Sequence, residues 1–303
     1  MLRTLIIALG LAFAAPLSGV AHAETTARHP HPLAWSFNGP FGTFDRAQLQ
    51  RGFQVYKEVC AACHSLNQLT YRNLGEKGGP FEATSHRNAE TGQLEYSVGA
   101  PHEGGRAVDA NENPYVKAIA ADYEVEEIDP QTGDVVTRKA RPSDRFHNPF
   151  KNEGLARGAN GGALPPDLSV ITKARRGGAD YVHALTSGYE TPPDGLEVPP
   201  GKYFNPYLHG DLSAFWKGDP GKVPEGGLIA MPVQLTPDRV TYADGTKATV
   251  DQMSRDISAF LEWAADPKAE ERKSLGLQVM VYLLVLSGLV YLAYRQVWKS
   301  VKH

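Results

Sequence analysis

Residues 58–67 of this 303-residue chain read EVCAACHSLN, and its two cysteines, Cys60 and Cys63, both stand there with His64 directly behind the second. Several chemistries use such a pair. A redox dithiol needs a βαβ setting, whereas the residues before Cys60 carry a helical pattern. Zinc needs four ligands in tetrahedral array, which two thiols and an adjoining imidazole do not supply. A Cys60–Cys63 disulfide would close a very short loop and stabilise little. Covalent attachment of a haem fits without strain. Positions i, i+3 and i+4 of a helix share one face, so two sulfurs for the vinyl groups and an imidazole for the iron point the same way. C-x-x-C-H is the signature of that attachment.

Working outward, FDRAQLQRGFQVYKEVC (44–60) reads as a helix from about Asp45 into the cysteine motif, with Leu49, Phe53, Tyr56 and Val59 along one side. Gly52 in its middle costs about 1 kcal/mol against Ala, so it marks a close helix crossing. The partner is the 250–265 segment, which offers Ile257, Phe260, Leu261 and Trp263 at helical spacing. First and last helices crossed around a haem are the cytochrome c arrangement. The expected fold class is therefore mainly α: a class I cytochrome c-like haem domain with long loops, a small β-hairpin and one C-terminal transmembrane helix.

An iron held by His64 has a sixth position, whose occupant decides between electron transfer and ligand chemistry. Of the four methionines, Met1 leaves with a signal peptide, Met280 lies in a membrane-type helix, and Met253 sits in the apolar stripe of TVDQMSRDISAFLEWAA. Met231 lies in PEGGLIAMPVQL (224–235), a glycine-rich, proline-interrupted stretch that cannot be regular helix. It is the expected sixth ligand, with Leu228 and Ile229 keeping water away. His183 and His209 are the histidine rivals. The 156–189 stretch has no G-K-[ST] after its glycines, so it is not a phosphate loop. There Asp167 is expected to cap a short helix that Gly177 stops, with Arg175 and Arg176 in its last turn, one of them available to a haem propionate. DYEVEEIDPQTGD (122–134) carries six acids and no base. It reads as a surface hairpin that either steers a basic partner or is simply solvated.

The chain opens MLRTLIIALGLAFAAPLSGVAHA, with one Arg, a short apolar run and a small-x-small end, a Sec-type signal peptide cleaved near Ala23. Leu275–Tyr294 is twenty residues without a charge, long enough at 1.5 Å per residue to cross a bilayer. Basic residues tie across the span, so the signal peptide sets the orientation. The expected division is 1–23 signal peptide, 24–273 periplasmic cytochrome c domain, 274–295 transmembrane helix and 296–303 cytoplasmic tail, with DPKAEERKS as a charged linker. Setting aside Arg3 and the tail cations Arg295, Lys299 and Lys302 leaves 27 Lys and Arg against 34 Asp and Glu, a balance of −7 for the exported body. That argues against nucleic acid or anionic lipid as a partner and for a basic one.

RGFQVYKEVCAACHSL, GANGGALPPDLSVITKARRGGADYV, KYFNPY and IAMP, followed by the helix into the membrane span, occur in this order. Together they resemble the cytochrome c1 family, over most of the mature chain. The resemblance implies haem thioethers at Cys60 and Cys63, axial ligands His64 and Met231, and Arg175 at a propionate of one covalently bound haem c. It implies an electron carrier, not an enzyme by itself, within a quinol–cytochrome c oxidoreductase (bc1) complex that is dimeric. The electron comes from a Rieske iron–sulfur protein and goes to a soluble c-type cytochrome. Cytochrome b and the lipid bilayer are neighbours, and the haem domain faces the periplasm from a bacterial inner membrane. The competing expectation is a membrane-anchored haem enzyme or gas sensor with an open sixth site. The chain departs from its relatives between Tyr207 and Met231, which is longer than in mitochondrial members and lacks the second cysteine pair of some bacterial ones. Side chains such as Phe215 and Trp216 must then hold the Met231 stretch.

Overall fold

The computed structural model describes residues 27–99 and 104–299. The expected signal peptide lies outside the described residues, as does the end of the expected tail. Helix α1 (Arg46–Glu58) starts where Asp45 accepts hydrogen bonds from the N–H groups of Ala47 and Gln48, satisfying donors that a helix start leaves unpaired. Strands β1 (Ala83–Arg87), β2 (Leu94–Val98) and β3 (Arg106–Ala107) form a small antiparallel sheet in the order β2-β1-β3. Helix α2 (Pro114–Ala121) precedes an antiparallel hairpin of β4 (Glu124–Ile128) and β5 (Val135–Lys139). Then come α3 (Glu153–Ala159), α4 (Gly178–Ser187), β6 (Tyr203–Asn205) paired with β7 (Gly227–Ile229), α5 (Val250–Ala265) and α6 (Ala269–Trp298).

The core forms where α1 crosses α5. Leu49, Phe53, Val55 and Tyr56 of α1 are buried, as are Met253, Ile257, Phe260, Leu261 and Trp263 of α5. Phe260 meets Phe53 edge-on at 5.8 Å between ring centroids. Gly52 sits at the crossing: a Cβ there would lie 2.1 Å from the Asp256 carbonyl oxygen and 2.6 Å from Phe260 Cβ. Asp256 itself is fully buried, held by Arg51 Nε at 3.1 Å and by Gln252 Nε2 at 2.9 Å. Burial raises its carboxyl above the usual range, against the pull of these donors. Met253 is fully buried in this core, as its place in the apolar stripe implies.

One alternative left open by the sequence and two expectations that need correcting concern the surface and the connections. The hairpin at 122–139 is present, but its acids are neutralised locally: Glu124 by Lys139, Glu126 by Lys151, Glu127 by Arg138 and Asp122 by Lys57. Asp129 is taken up in the turn, accepting from Gln131 N–H. A solvated edge describes it better than a steering surface. The helix expected after Asp167 is instead a run of turns, in which Ala174 N–H reaches Val170 O at 2.9 Å, and Gly177 opens α4 rather than closing anything. The charged linker shrinks to residues 266–268, because 269–273 already belong to α6. That helix is 30 residues long, and its apolar stretch is exposed along its whole length.

Candidate functional site

The regular helix ends at Glu58, and Cys60–Ala62 form a single tighter 3₁₀ turn. The cysteine motif stays coiled all the same, since Cys63 N–H and His64 N–H both donate to Cys60 O, at 3.1 and 2.9 Å. The two thiols and the imidazole are thus brought together on one turn. Both cysteines are free. Cys60 lies against the core, and burial pushes its thiol up to about 12.

His64 is fixed at both ends. Its carbonyl accepts from Tyr56 Oη at 3.1 Å, and its Nδ1 lies 2.8 Å from Pro166 O. A carbonyl only accepts, so Nδ1 carries the proton and Nε2 presents its lone pair. Burial lowers the imidazole pKa, favouring the neutral form that ligates metal. The loop supplying that carbonyl is laced to the segment after His64. Asp167 accepts from Ser65 Oγ (2.7 Å), Asn67 N–H (2.7 Å) and Ser169 N–H (2.9 Å). Leu168 N–H donates to Ser65 O, and Gln68 N–H to Ser169 Oγ. Nothing in the spacing of the sequence pairs residue 64 with residue 166; the D-L-S after Pro166 was the available signal, read there as a helix cap.

Met231 follows β7 by two residues and precedes Pro232. Its carbonyl accepts from Tyr189 Oη at 2.9 Å, just past the end of α4. The glycines before it have a steric reason. Gly226 takes φ +117°, and a Cβ there would lie 2.6 Å from Pro206 Cα. Beneath β6–β7 lies a second small core of Leu196, Phe204 and Leu212, with Phe215 and Trp216 packed against it. Trp216 also pairs its backbone with Leu196 and donates Nε1–H to Asp219 O at 2.9 Å. Leu228 packs against this cluster.

Arg175 is exposed, donating to Ala174 O at 3.1 Å and lying beside Tyr181. Among the described residues neither Arg175 nor Arg176 forms an ion pair, and Thr172 Oγ1 in the same loop is buried without a partner. Of the rival histidines, His183 places Nε2 2.9 Å from Asp251 Oδ1, and His209 is solvent-exposed. No described contact joins Met231 or Arg175 to the Cys60–His64 turn. The donor set nevertheless fits a c-type haem: two unbridged thiols, an imidazole with Nδ1 pinned and Nε2 left to ligate, and unneutralised guanidinium groups for carboxylates.

The profile of the Cytochrome C1 family matches residues 35–301. "Cytochrome b/c1" of Bradyrhizobium diazoefficiens is 40% identical over 312 residues, covering 97% of this chain; the chain spans only 39% of that protein's length. "Cytochrome c1, heme protein, mitochondrial" of Saccharomyces cerevisiae is 39% identical, over 93% of this chain and 77% of the relative. "Cytochrome c1" of Rhodospirillum rubrum is 35% identical over 100% of this chain and 99% of its own. With a coiled Cys60–His64 turn inside crossed helices, and similarity running through nearly its whole length, the chain belongs to the cytochrome c1 family.

Proposed function

We propose that this chain is the haem-carrying subunit of a cytochrome bc1 complex and carries one covalently bound haem c. Cys60 and Cys63 would hold it by thioethers, His64 and Met231 would be its axial ligands, and Arg175 would meet a propionate. Bound there, the haem supplies a one-electron ferric–ferrous couple. The protein's part is to bind, orient and tune. Pro166 O fixes the His64 proton on Nδ1, which keeps Nε2 aimed and raises the basicity of the ligand. Tyr189 and the β6–β7 ribbon hold the backbone of Met231.

In this reading the chain takes one electron from a Rieske iron–sulfur protein and passes it to a soluble c-type cytochrome, with cytochrome b as its neighbour in a dimeric complex. It is an electron carrier, with no catalysis of its own. Residues 24–273 form the body on the periplasmic side of a bacterial inner membrane, 274–295 span the bilayer and 296–303 reach the cytoplasm. The apolar, exposed α6 supports the single-pass anchor.

The observation that carries the reading is the 2.8 Å contact from His64 Nδ1 to Pro166 O, which dictates the tautomer an iron ligand needs. The test is spectroscopic. Pigment should survive acidified acetone, and the oxidised protein should show the near-infrared thioether-to-iron band and bind carbon monoxide poorly. A colourless chain defeats the proposal. An absent band with ready carbon monoxide binding favours the open-site enzyme or sensor.

A further inference from the structure

Residues 35–44 form a loop clasped to the first turns of α6. Asn38 N–H to Trp35 O (3.1 Å) and Thr43 N–H to Ser36 O (3.0 Å) close its neck. Trp35, Phe37 and Phe44 stack as its buried base, with centroids 5.3 and 4.9 Å apart. The Lys273 ammonium sits in the neck, donating to Phe37 O at 2.6 Å and Gly42 O at 3.1 Å. One turn earlier on α6, Glu270 accepts from Phe44 N–H at 2.7 Å and pairs with Arg46 at 2.6 Å.

These two fastenings give the loop a direction. A helix advances 1.5 Å per residue, so Lys273 lies about 4.5 Å nearer the apolar span than Glu270. Gly42 is thus held from the α6 residue nearer the span and Phe44 from the one farther from it. Beyond Gly42 the chain turns, closed by Gly42 N–H to Gly39 O at 3.4 Å, with Pro40 and Phe41 at the outer corner. Phe41 is 75% exposed, more than any other large apolar side chain among the described residues outside α6. Left in water, that ring forgoes the free energy of burial. The uncharged span begins at Leu275, two residues past Lys273.

We propose that the Pro40–Phe41 corner is a second membrane contact, with the Phe41 ring seated among phospholipid headgroups and upper acyl chains beside α6. An apolar ring carried to that level by a rigid loop matches the shallow burial of interfacial segments. The inference rests on the reading that α6 crosses the bilayer. Its partner is the lipid surface itself, and the contact fixes the height and rotation of the body over the membrane.

The test uses the full, haem-loaded chain within its complex, in vesicles of phosphatidylcholine and phosphatidylglycerol. With Cys60 and Cys63 in thioethers, Phe41→Cys provides this chain's one thiol for a nitroxide label, and the parent complex treated alike supplies the background to subtract. Collisions with oxygen, which concentrates in lipid, are compared with those of a water-soluble nickel chelate. Thr132→Cys on the hairpin turn and Leu284→Cys in mid-span are the references. The loop is pinned through its backbone, so the substitution leaves it in place. The oxygen-to-nickel ratio at 41 is expected severalfold above that at 132 and below that at 284. A ratio at 41 equal to that at 132, with 284 in lipid, overturns the inference and leaves the anchor standing. Shielding of 41 from both reagents also overturns it, because a protein then covers the corner. An aqueous 284 overturns the anchor reading, and this inference with it.

Discussion

At the scale of single residues, the site depends on one carbonyl and what holds it. Asp167 joins Pro166 to the segment after His64 through two donors, Ser65 Oγ and Asn67 N–H, and accepts a third from Ser169 N–H in its own loop. Asp167→Ala leaves them unpaired, at a cost of about 1–3 kcal/mol for each buried group, and frees Pro166 O to move. Looser pinning makes His64 a weaker ligand and destabilises ferric iron, so the reduction potential should rise. Asp167→Asn keeps one acceptor oxygen and turns the other, with the charge, into a donor. Redox titration should therefore find a smaller rise for Asn than for Ala; equal rises would show that the remaining acceptor contributes nothing to holding Pro166. Met231→Leu should lower the potential by more than about 59 mV, a tenfold change in a one-electron couple, and open the iron to carbon monoxide with the haem still attached. A further prediction concerns Asp144, whose carboxyl is held below its ordinary 3.8 chiefly by hydrogen bonds from Arg138. A depressed carboxylate stabilises the fold above its unfolded value and loses that stabilisation as pH falls through the folded one. The difference in melting temperature between Asp144→Asn and the parent should be full at neutral pH and vanish well below pH 3.8.

At the scale of elements, α1, α5 and α6 were legible because their apolar spacing is regular and their ends carry plain signals, Asp45 and Thr249 among them. Gly52 was legible as a crossing point, and the 2.1 Å approach to Asp256 O explains why. Gly52→Ala should force the helices apart and cost about 1–3 kcal/mol or more by overpacking, seen as a lower urea midpoint. The β1–β3 sheet escaped notice because Thr84, Ser85, His86 and Arg87 show no alternation of apolar and polar residues. The turns after Asp167 imitated a helix start, since a carboxylate that binds Ser65 and Asn67 looks, in one dimension, like a cap. Long-range pairings of this kind leave no local pattern. The insert before Met231 was legible in its aromatics but not in its ribbon. Trp216→Ala should loosen that small core, leaving both thioethers intact while raising the fraction of haem that binds carbon monoxide. An unchanged fraction would show that Tyr189 and β6–β7 suffice.

At the scale of the whole molecule, the body and α6 are joined by more than the short 266–268 connection. Glu270 receives Phe44 and Arg46, and Lys273 fills the neck of the 35–44 loop. Glu270→Ala should lower the melting temperature of the body, since it orphans a backbone N–H and a half-buried guanidinium. An unchanged melt, followed by tryptophan fluorescence, would mean the loop holds without it. Fastened this way, helix and body make one stiff lever with no wrist between them. Whatever slant the bilayer's thickness imposes on the helix is handed on undiminished to the redox end. On the proposed electron-carrier reading such a lever cannot reach toward its donor, so the donor must do the travelling, and electron throughput should respond to how thick a membrane the lever stands in.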